Sequence, residues 1–343
     1  GQLFKAPMQA KVLEKIAEKG RDGFYKGEVA EDMVSSLNAL GGSHSLEDFE
    51  NVKCNYTTPI SGKYGNIEMF EHPPNGQGAT AICINNILSQ FDIKSMDAFG
   101  VQRTHIEAEA TKLAYDARNR FIADKSERVD HMLSIKTAKD LAALINPRSV
   151  TVNIKSVTES VHKETICLTI VDKNLMSVSL IYSVFHSFGS GFASNKFGIN
   201  FQNRGAGFTL EKNHPNEVGS QKRPMHTIIP GMLKKDNKIL MPFCVMGGAY
   251  QATGHSRFVS NIVDFNLHPQ SSIDSPRSFA DGDILKLERG YENNICQGLI
   301  DLGHKIIIPD IPIGGAQAIF IDYKNGTLVG SSDARKDGAS LGY

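Results

Sequence analysis

The chain has 343 residues, of which 41% are hydrophobic and 22% charged, and its 37 basic and 37 acidic side chains give a formal net charge of zero. That composition supports a large buried core and offers no electrostatic case for nucleic acid or an anionic membrane as a partner. No run of eighteen apolar residues occurs, because the most apolar stretch, 306–321, is broken by Asp310, two prolines and Gly314-Gly315.

Pro7 opens an amphipathic run to Lys19 with Gly20 just beyond it, the asymmetry of a helix with Pro at its start and Gly past its end. A second such run covers Glu28 to Leu40 and stops at Gly41-Gly42. Ser45 with Asp48 three residues later has the spacing of a capping box and begins a short helix. Ile67 to Phe70 is strand-like and enters the turn-rich Pro73-Pro74-Asn75-Gly76-Gln77-Gly78. Ala79 to Gln90 and Val101 to Phe121 then predict two buried helices. Near residue 163 the pattern changes. Thr165–Asp172 and Met176–Val184 are β-rich runs joined by Lys173-Asn174, a hairpin. A third strand is expected from Phe197 to Gln202 and a fourth from Leu240 to Met246, followed by a helix from Gln251 to Phe265. Leu285 to Leu302 predicts another helix, and Ala316–Asp322 and Thr327–Ser331 two last strands. This order suits a two-sheet core flanked by helices. The five cysteines (Cys54, Cys83, Cys167, Cys244, Cys296) are scattered, odd in number and without CxxC spacing, so they read as reduced core residues. Gly1 carries neither Met nor a signal-peptide pattern, which reads as a fragment or a processed product.

Thr165 heads a strand. If the chain is cut before it, one residue carries both the nucleophilic hydroxyl and a base, its new α-amine, a group that ordinarily titrates at about 7.7–8.0. The plainer alternative is an ordinary β-branched strand residue. Ser183 lies near the end of the adjacent strand, where alternation can set its hydroxyl beside that of Thr165. Gly247-Gly248 ends a strand before a helix, and two backbone N–H groups without side chains can approach a developing oxyanion closely. No Gly-Lys-Ser/Thr and no GxGxxG after a strand points to nucleotide binding. The loop from Gln202 to Phe208 mixes glycines with Asn203 and Arg204, the latter a bidentate partner for carboxylate. His226 and Thr227 follow Lys222-Arg223-Pro224-Met225 and are pocket candidates, as are His186 and His255. The eleven histidines form neither HExxH nor a Cys/His ligand set, so neither cofactor nor metal is expected.

Taken in order along nearly the whole chain, these residues resemble the gamma-glutamyltransferase family of N-terminal nucleophile hydrolases. The matches run from Gly23-Phe24-Tyr25-Lys26-Gly27 and Thr58-Pro59-Ile60-Ser61-Gly62 through His72-Pro73-Pro74-Asn75-Gly76-Gln77-Gly78. They continue through Thr165–Asp172, Phe188-Gly189-Ser190-Gly191, Lys222-Arg223-Pro224 and Gly247-Gly248 to Ser332-Asp333-Ala334-Arg335 and Gly342-Tyr343. The resemblance implies an α+β fold, the four-layer αββα sandwich. It also implies autoproteolysis before Thr165, giving a large-subunit region (1–164, mostly helical) and a small-subunit region (165–343) that stay tightly paired in one intertwined domain. It makes Thr165 the nucleophile, Ser183 its support, and Gly247 and Gly248 the oxyanion hole.

The departures bear on substrate. Where typical members have Leu-Asn-Asn-Glu/Gln-Met-Asp-Asp-Phe, this chain has Phe201 to Phe208, so the groups gripping a substrate α-amine are replaced by Arg204 and Gly207. Phe185 replaces an Asn near the nucleophile, His226-Thr227 replaces Ser-Ser, and Ile166-Cys167 replaces Thr-His. The family pattern also has an N-terminal third, with an arginine for the substrate carboxylate, that this sequence does not span. Gaining a cation and losing an acid disfavours a free α-ammonium. The expectation is an amidohydrolase acting on small carboxylated amides, with Phe185, His186, Asn203, Arg204, Gly207, His226 and Thr227 around the substrate. A true glutathione hydrolase or γ-glutamyl transferase, and a silent uncleaved relative acting as a binding protein, remain the alternatives. The cytoplasm is favoured as compartment, and a homodimer is left open.

Overall fold

The computed structural model describes residues 1–151 and 163–343. They form two compact units, one of residues 1–57 and 184–204 and the other of residues 58–183 and 205–343.

In the first unit the helices are α1 (Pro7–Lys19), α2 (Asp22–Tyr25), α3 (Gly27–Ala39) and α4 (Leu46–Glu50). Pro7 sits where its missing N–H is harmless, and Gly20, at φ +58°, ends α1. The capping box is formed: Asp48 N–H donates to Ser45 Oγ at 3.2 Å and Ser45 N–H to Asp48 Oδ2 at 2.8 Å. The unit's core joins Val12, Val29 and Met33 with Phe197. Phe197 to Gln202, expected as a strand, is irregular chain apart from a single bridge between Ala193 and Asn200, and Gly198 takes φ +66°. Side chains of α3 replace the strand ladder: Asp32 accepts from Lys196 N–H (2.9 Å) and Phe197 N–H (3.1 Å), and Ser36 Oγ accepts from Asn195 N–H (2.9 Å).

The second unit is layered. Its strands are β1 (Ile60–Tyr64), β2 (Ile67–Glu71), β3 (Lys163–Val171), β4 (Ser177–His186, whose last residues belong to the first unit), β5 (Pro230–Lys235), β6 (Lys238–Met246), β7 (Ser278–Asp281), β8 (Ile284–Leu287), β9 (Lys305–Ile307), β10 (Gly315–Asp322) and β11 (Thr327–Ser332). Its helices are α5 (Gly78–Leu88), α6 (Val101–Phe121), α7 (Val129–Leu133), α8 (Ile135–Ala142), α9 (Gln251–Val263), α10 (Pro269–Asp274) and α11 (Asn293–Asp301). A six-stranded antiparallel sheet runs β1-β2-β5-β6-β10-β11, β3 pairs with β4, and β7-β8-β9 form a small third sheet.

β6 shows the layering. Met241, Phe243 and Val245 point into the core shared with α5, α6 and α9, while Cys244 and Met246 point the other way, onto Cys167 and Ile181 of the β3–β4 hairpin. A strand covered on both faces is apolar without alternation, as 240–246 is. α5 is buried along its entire length. α6 is buried despite its charges because they are paired: Arg257 from α9 meets Glu107 at 2.8 Å, and Lys112 meets Glu109 at 2.8 Å.

Two expectations are corrected in this unit. Residues 285–302 are not one helix, since Ile284–Leu287 pairs with both β7 and β9 and Gly290, at φ +119°, separates it from α11. Leu285 and Leu287 are spaced as a strand needs. Nor are all cysteines reduced: Cys167 and Cys244 form a disulfide with their Cα atoms 6.1 Å apart. The partners are 77 residues apart, and only the stacking of β3 on β6 brings them together. Among the described residues no helix is long and apolar enough to cross a membrane.

The Asp32 bonds carry a pH signature. Burial alone would raise its pKa, but the bonds from Ser194, Lys196 and Phe197 hold it below the ordinary 3.8. A depressed carboxyl contributes stability that is complete above the unfolded value and is lost as pH falls through the folded one. Asp32→Ala is therefore expected to lower stability by about 2 kcal/mol at pH 7. The deficit relative to the parent should narrow below pH 4 in urea melts, and equal midpoints at pH 7 would contradict the assignment.

Candidate active site

Thr165 is the third residue of β3, and the alternation along that strand settles which way it faces. Ile166, Leu168 and Ile170 are exposed, whereas Thr165 and Thr169 are half-buried and Cys167 is buried. Side chains two apart share a face, so Thr165 lies on the side from which Cys167 reaches Cys244 of β6. β3 also lies against the Gly248–Tyr250 turn that follows β6. On β4, Ser179 Oγ donates to Phe243 O of β6 at 2.7 Å, and Ile181 is buried against Cys244. Ser183 continues that series, which sets its hydroxyl on the face used by Thr165.

Gly247 and Gly248 take φ of +123° and +59°. A Cβ at Gly247 would stand 2.6 Å from Ile313 O, so only glycine fits. The approaching chain is the start of β10, where Gly315 pairs with Met246. It is anchored by a buried charge network. Glu288 Oε1 accepts from Ile313 N–H at 2.7 Å, and Arg277 Nη1 donates to Gly314 O at 3.2 Å. Arg277 is also paired with Asp333, and Arg335 with both Glu288 and Asp333 at 2.9 Å. Two cations meet two carboxylates. Burial works against the Arg277 charge, yet Tyr250, Glu288 and Asp333 together hold its pKa above the usual arginine value. On the other side of the turn, Tyr250 N–H donates to Gly247 O at 3.2 Å, Gln77 Nε2 to Gly248 O at 3.2 Å, and the Tyr115 hydroxyl to Ala249 O.

His226 and Thr227 lie beside this turn's support. His226 N–H donates to Asn75 O at 2.8 Å, and Thr227, itself buried, gives its carbonyl to Gln77 Nε2 at 2.7 Å. Gly207 O accepts from Asn216 Nδ2 at 2.6 Å, and a Cβ on Gly207 would press on Met225 O at 2.9 Å. His255 is not at the site. It is fully buried in α9 and bonded through Nδ1 to Glu71 at 2.6 Å, on the helix-facing side of the sheet with Phe243.

Phe185, His186, Asn203 and Arg204 form a cluster within the first unit. Phe185 has φ +80° and stacks on His186 with ring centroids 4.5 Å apart, while the Arg204 guanidinium covers its ring at 4.4 Å. Asn203 Oδ1 accepts from His186 N–H at 3.1 Å, and its Nδ2 meets His186 Nδ1 at 2.8 Å, a bond that leaves the ring proton on Nε2. Burial pulls the Arg204 pKa down to about 10, which still leaves the side chain a cation at neutral pH. Stacking on an aromatic face suits the weakly hydrated guanidinium.

Residues 1–343 match the gamma-glutamyltranspeptidase family along their whole length. The chain belongs to that family. It is 30% identical over 354 residues to a glutathione hydrolase-like proenzyme, YwrD, of Bacillus subtilis, with all of this chain and 66% of the relative covered. An oxamate amidohydrolase proenzyme of Klebsiella pneumoniae is 29% identical over 355 residues with the same coverage. The crystal structure of a cephalosporin acylase from Bacillus halodurans superposes with a TM-score of 0.90 at 32% identity, covering all of this chain and 64% of that one. The chain thus spans about two thirds of the length of these relatives. Its fold is the α+β fold of the N-terminal nucleophile hydrolases, as the sequence motifs implied.

Sequence reasoning missed Gln77, Tyr115 and Arg118 as supports of the Gly247–Gly248 turn, and it missed the disulfide. Gln77 and Arg335 sit inside segments recognised as gamma-glutamyltranspeptidase-like, so a signal existed without a role attached.

The disulfide gives a direct check. Thiol titration of the denatured protein is expected to find three free cysteines, Cys54, Cys83 and Cys296, and five after reduction. Cys244→Ser is expected to destabilise the fold by about 2–4 kcal/mol. Five titratable thiols before reduction would contradict the pairing.

Proposed function

We propose that this chain carries the catalytic part of an N-terminal threonine hydrolase, which cuts itself before Thr165 and then cleaves the amide of a small carboxylated acyl group. The observation that carries the reading is the anchoring of the Thr165 strand, through Cys167 and Cys244, to the strand that ends in the Gly247–Gly248 turn. In maturation, Thr165 Oγ attacks the Glu164 carbonyl and takes the acyl group from nitrogen. Water then hydrolyses the resulting ester, which leaves the Glu164 carboxylate and a free Thr165 amine.

In turnover the same hydroxyl attacks the substrate carbonyl while the α-amine accepts its proton. The Gly247 and Gly248 N–H groups stabilise the tetrahedral oxyanion, and Ser183 orients the nucleophile. Collapse returns the proton to the leaving amine and leaves an ester on Thr165. Water, deprotonated by the α-amine, releases the acid.

Separation at Glu164–Thr165 need not separate the halves. β1 and β2 come from the N-terminal part and pair through β2 with β5 of the C-terminal part inside one sheet, which supports a tight large–small subunit pair. The cytoplasm is the compartment expected from the sequence; the Cys167–Cys244 disulfide favours an oxidising compartment instead.

For the acyl group, the support is the buried Arg204–Phe185 stack with Asn203 and His186 beside it; Gly207, His226 and Thr227 are proposed as further substrate-binding residues. A fixed guanidinium favours a carboxylate and repels an α-ammonium.

Two chromogenic amides that differ only in that ammonium test it: glutaryl 4-nitroanilide and γ-glutamyl 4-nitroanilide. The glutaryl compound is expected to have a kcat/KM at least about tenfold higher, equivalent to about 1.4 kcal/mol, and Thr165→Ala is expected to hydrolyse neither. Preference for the γ-glutamyl compound would overturn the acyl-group assignment in favour of a glutathione-type hydrolase. Turnover by the Thr165→Ala protein would overturn the mechanism.

A further inference from the structure

Gln77 is completely buried where the His72–Gly78 segment enters α5, and its side-chain amide is fully used. Nε2 donates to Thr227 O at 2.7 Å and to Gly248 O at 3.2 Å, and Oε1 accepts from Arg118 Nη1 at 3.0 Å. The surroundings fix which end is which. The reversed amide would set an oxygen against two carbonyls and an NH₂ against a guanidinium. Arg118 is itself held by Asn119 Oδ1 (2.9 and 3.1 Å) and lies 4.2 Å over the ring of Tyr115, whose hydroxyl bonds Ala249 O. The main chain repeats the link, Gln77 N–H donating to His226 O at 3.0 Å, and the Asn75 side chain adds to it, its Nδ2 donating to Pro224 O at 2.7 Å.

A Gly-Gly turn is the softest backbone available, so donors built from it need their direction imposed from outside. We propose that Gln77 is a positioning residue for the hydrolysis: it holds the Gly248 carbonyl, and with it the tilt of the Gly247–Gly248 turn, in register with Thr227. Arg118 locks the amide in the one orientation that can do this. The inference rests on the assignment of Gly247 and Gly248 as oxyanion donors. It adds that the turn works only while it is tied to the 224–227 segment through one side chain.

Gln77→Leu keeps most of the volume and removes all three bonds. On whichever anilide the parent turns over faster, its kcat is expected to fall about 10–100-fold, part of what loss of an oxyanion donor costs, with KM within about threefold. Ile82→Val, a mildly destabilising core change on the same helix, should leave kcat at the parental value. That comparison separates positioning from general stability.

Gln77→Glu keeps the Arg118 bond should the leucine variant fold poorly. Its carboxylate faces two carbonyls, with Arg118 and the Tyr115 hydroxyl as the neighbouring charged and titratable groups. Its kcat should therefore be depressed at high pH and recover, relative to the parent, as the carboxyl takes up a proton. Parental kcat in Gln77→Leu, or in Gln77→Glu across the pH range, with Thr165→Ala inactive, overturns this inference and leaves the mechanism standing. A parent that turns over neither anilide, or an active Thr165→Ala protein, overturns both.

Discussion

At Gly247 the backbone turns through φ +123° with Ile313 O where a side chain would otherwise stand. That close approach requires β10 to run tight against β6, and it is held from several directions. The Arg277–Glu288–Asp333–Arg335 network grips the Ile313–Gly314 chain, Gln77 and Tyr115 hold the turn's carbonyls from the helical layer, and the disulfide draws β3 onto β6. A single residue with a Cβ at 247 would push these elements apart. The architecture of the second unit can be understood as the means of keeping two small residues in an unusual conformation beneath a strand that begins near Thr165.

The buried charges belong to this purpose more than to stability. Buried ion pairs recover their desolvation cost only with near-complete hydrogen bonding, and replacing them by apolar residues is often neutral. Here they bond backbone groups as well as one another: Arg277 and Glu288 each hold a backbone group of the 313–314 chain. An apolar substitute of equal volume would fill the space and leave those peptide groups without partners. Geometry is what the charges supply.

Much of this was legible in the sequence because its signals are local. Pro7 and Gly20 bracket α1, Ser45 and Asp48 cap α4, and the apolar run 240–246 reads as a covered strand. Thr165, Ser183, Gly247 and Gly248 stood out through strand heads, alternation and glycine pairs, and ordered motifs tied them together. What stayed hidden depends on partners far away in the chain. Cys167 meets Cys244 only through the stacking of two sheets, and Gln77 meets Gly248 across 171 positions. The helix expected over 285–302 failed because Leu285 and Leu287 fit either period, and pairing with β7 and β9 decided the matter. The strand expected at 197–202 lost to side-chain bonds from α3.

The central claim is that Thr165 becomes an N-terminus by the protein's own chemistry. The direct measurement is intact mass with N-terminal sequencing of purified protein held at neutral pH, for the parent and for Thr165→Ala. The account predicts two fragments from the parent, one beginning Thr165-Ile166-Cys167, and a single uncut chain from the variant. A parent that stays whole would contradict it and bring forward a silent relative kept for binding, and cleavage of the Thr165→Ala protein at the same bond would remove Thr165 from the chemistry altogether.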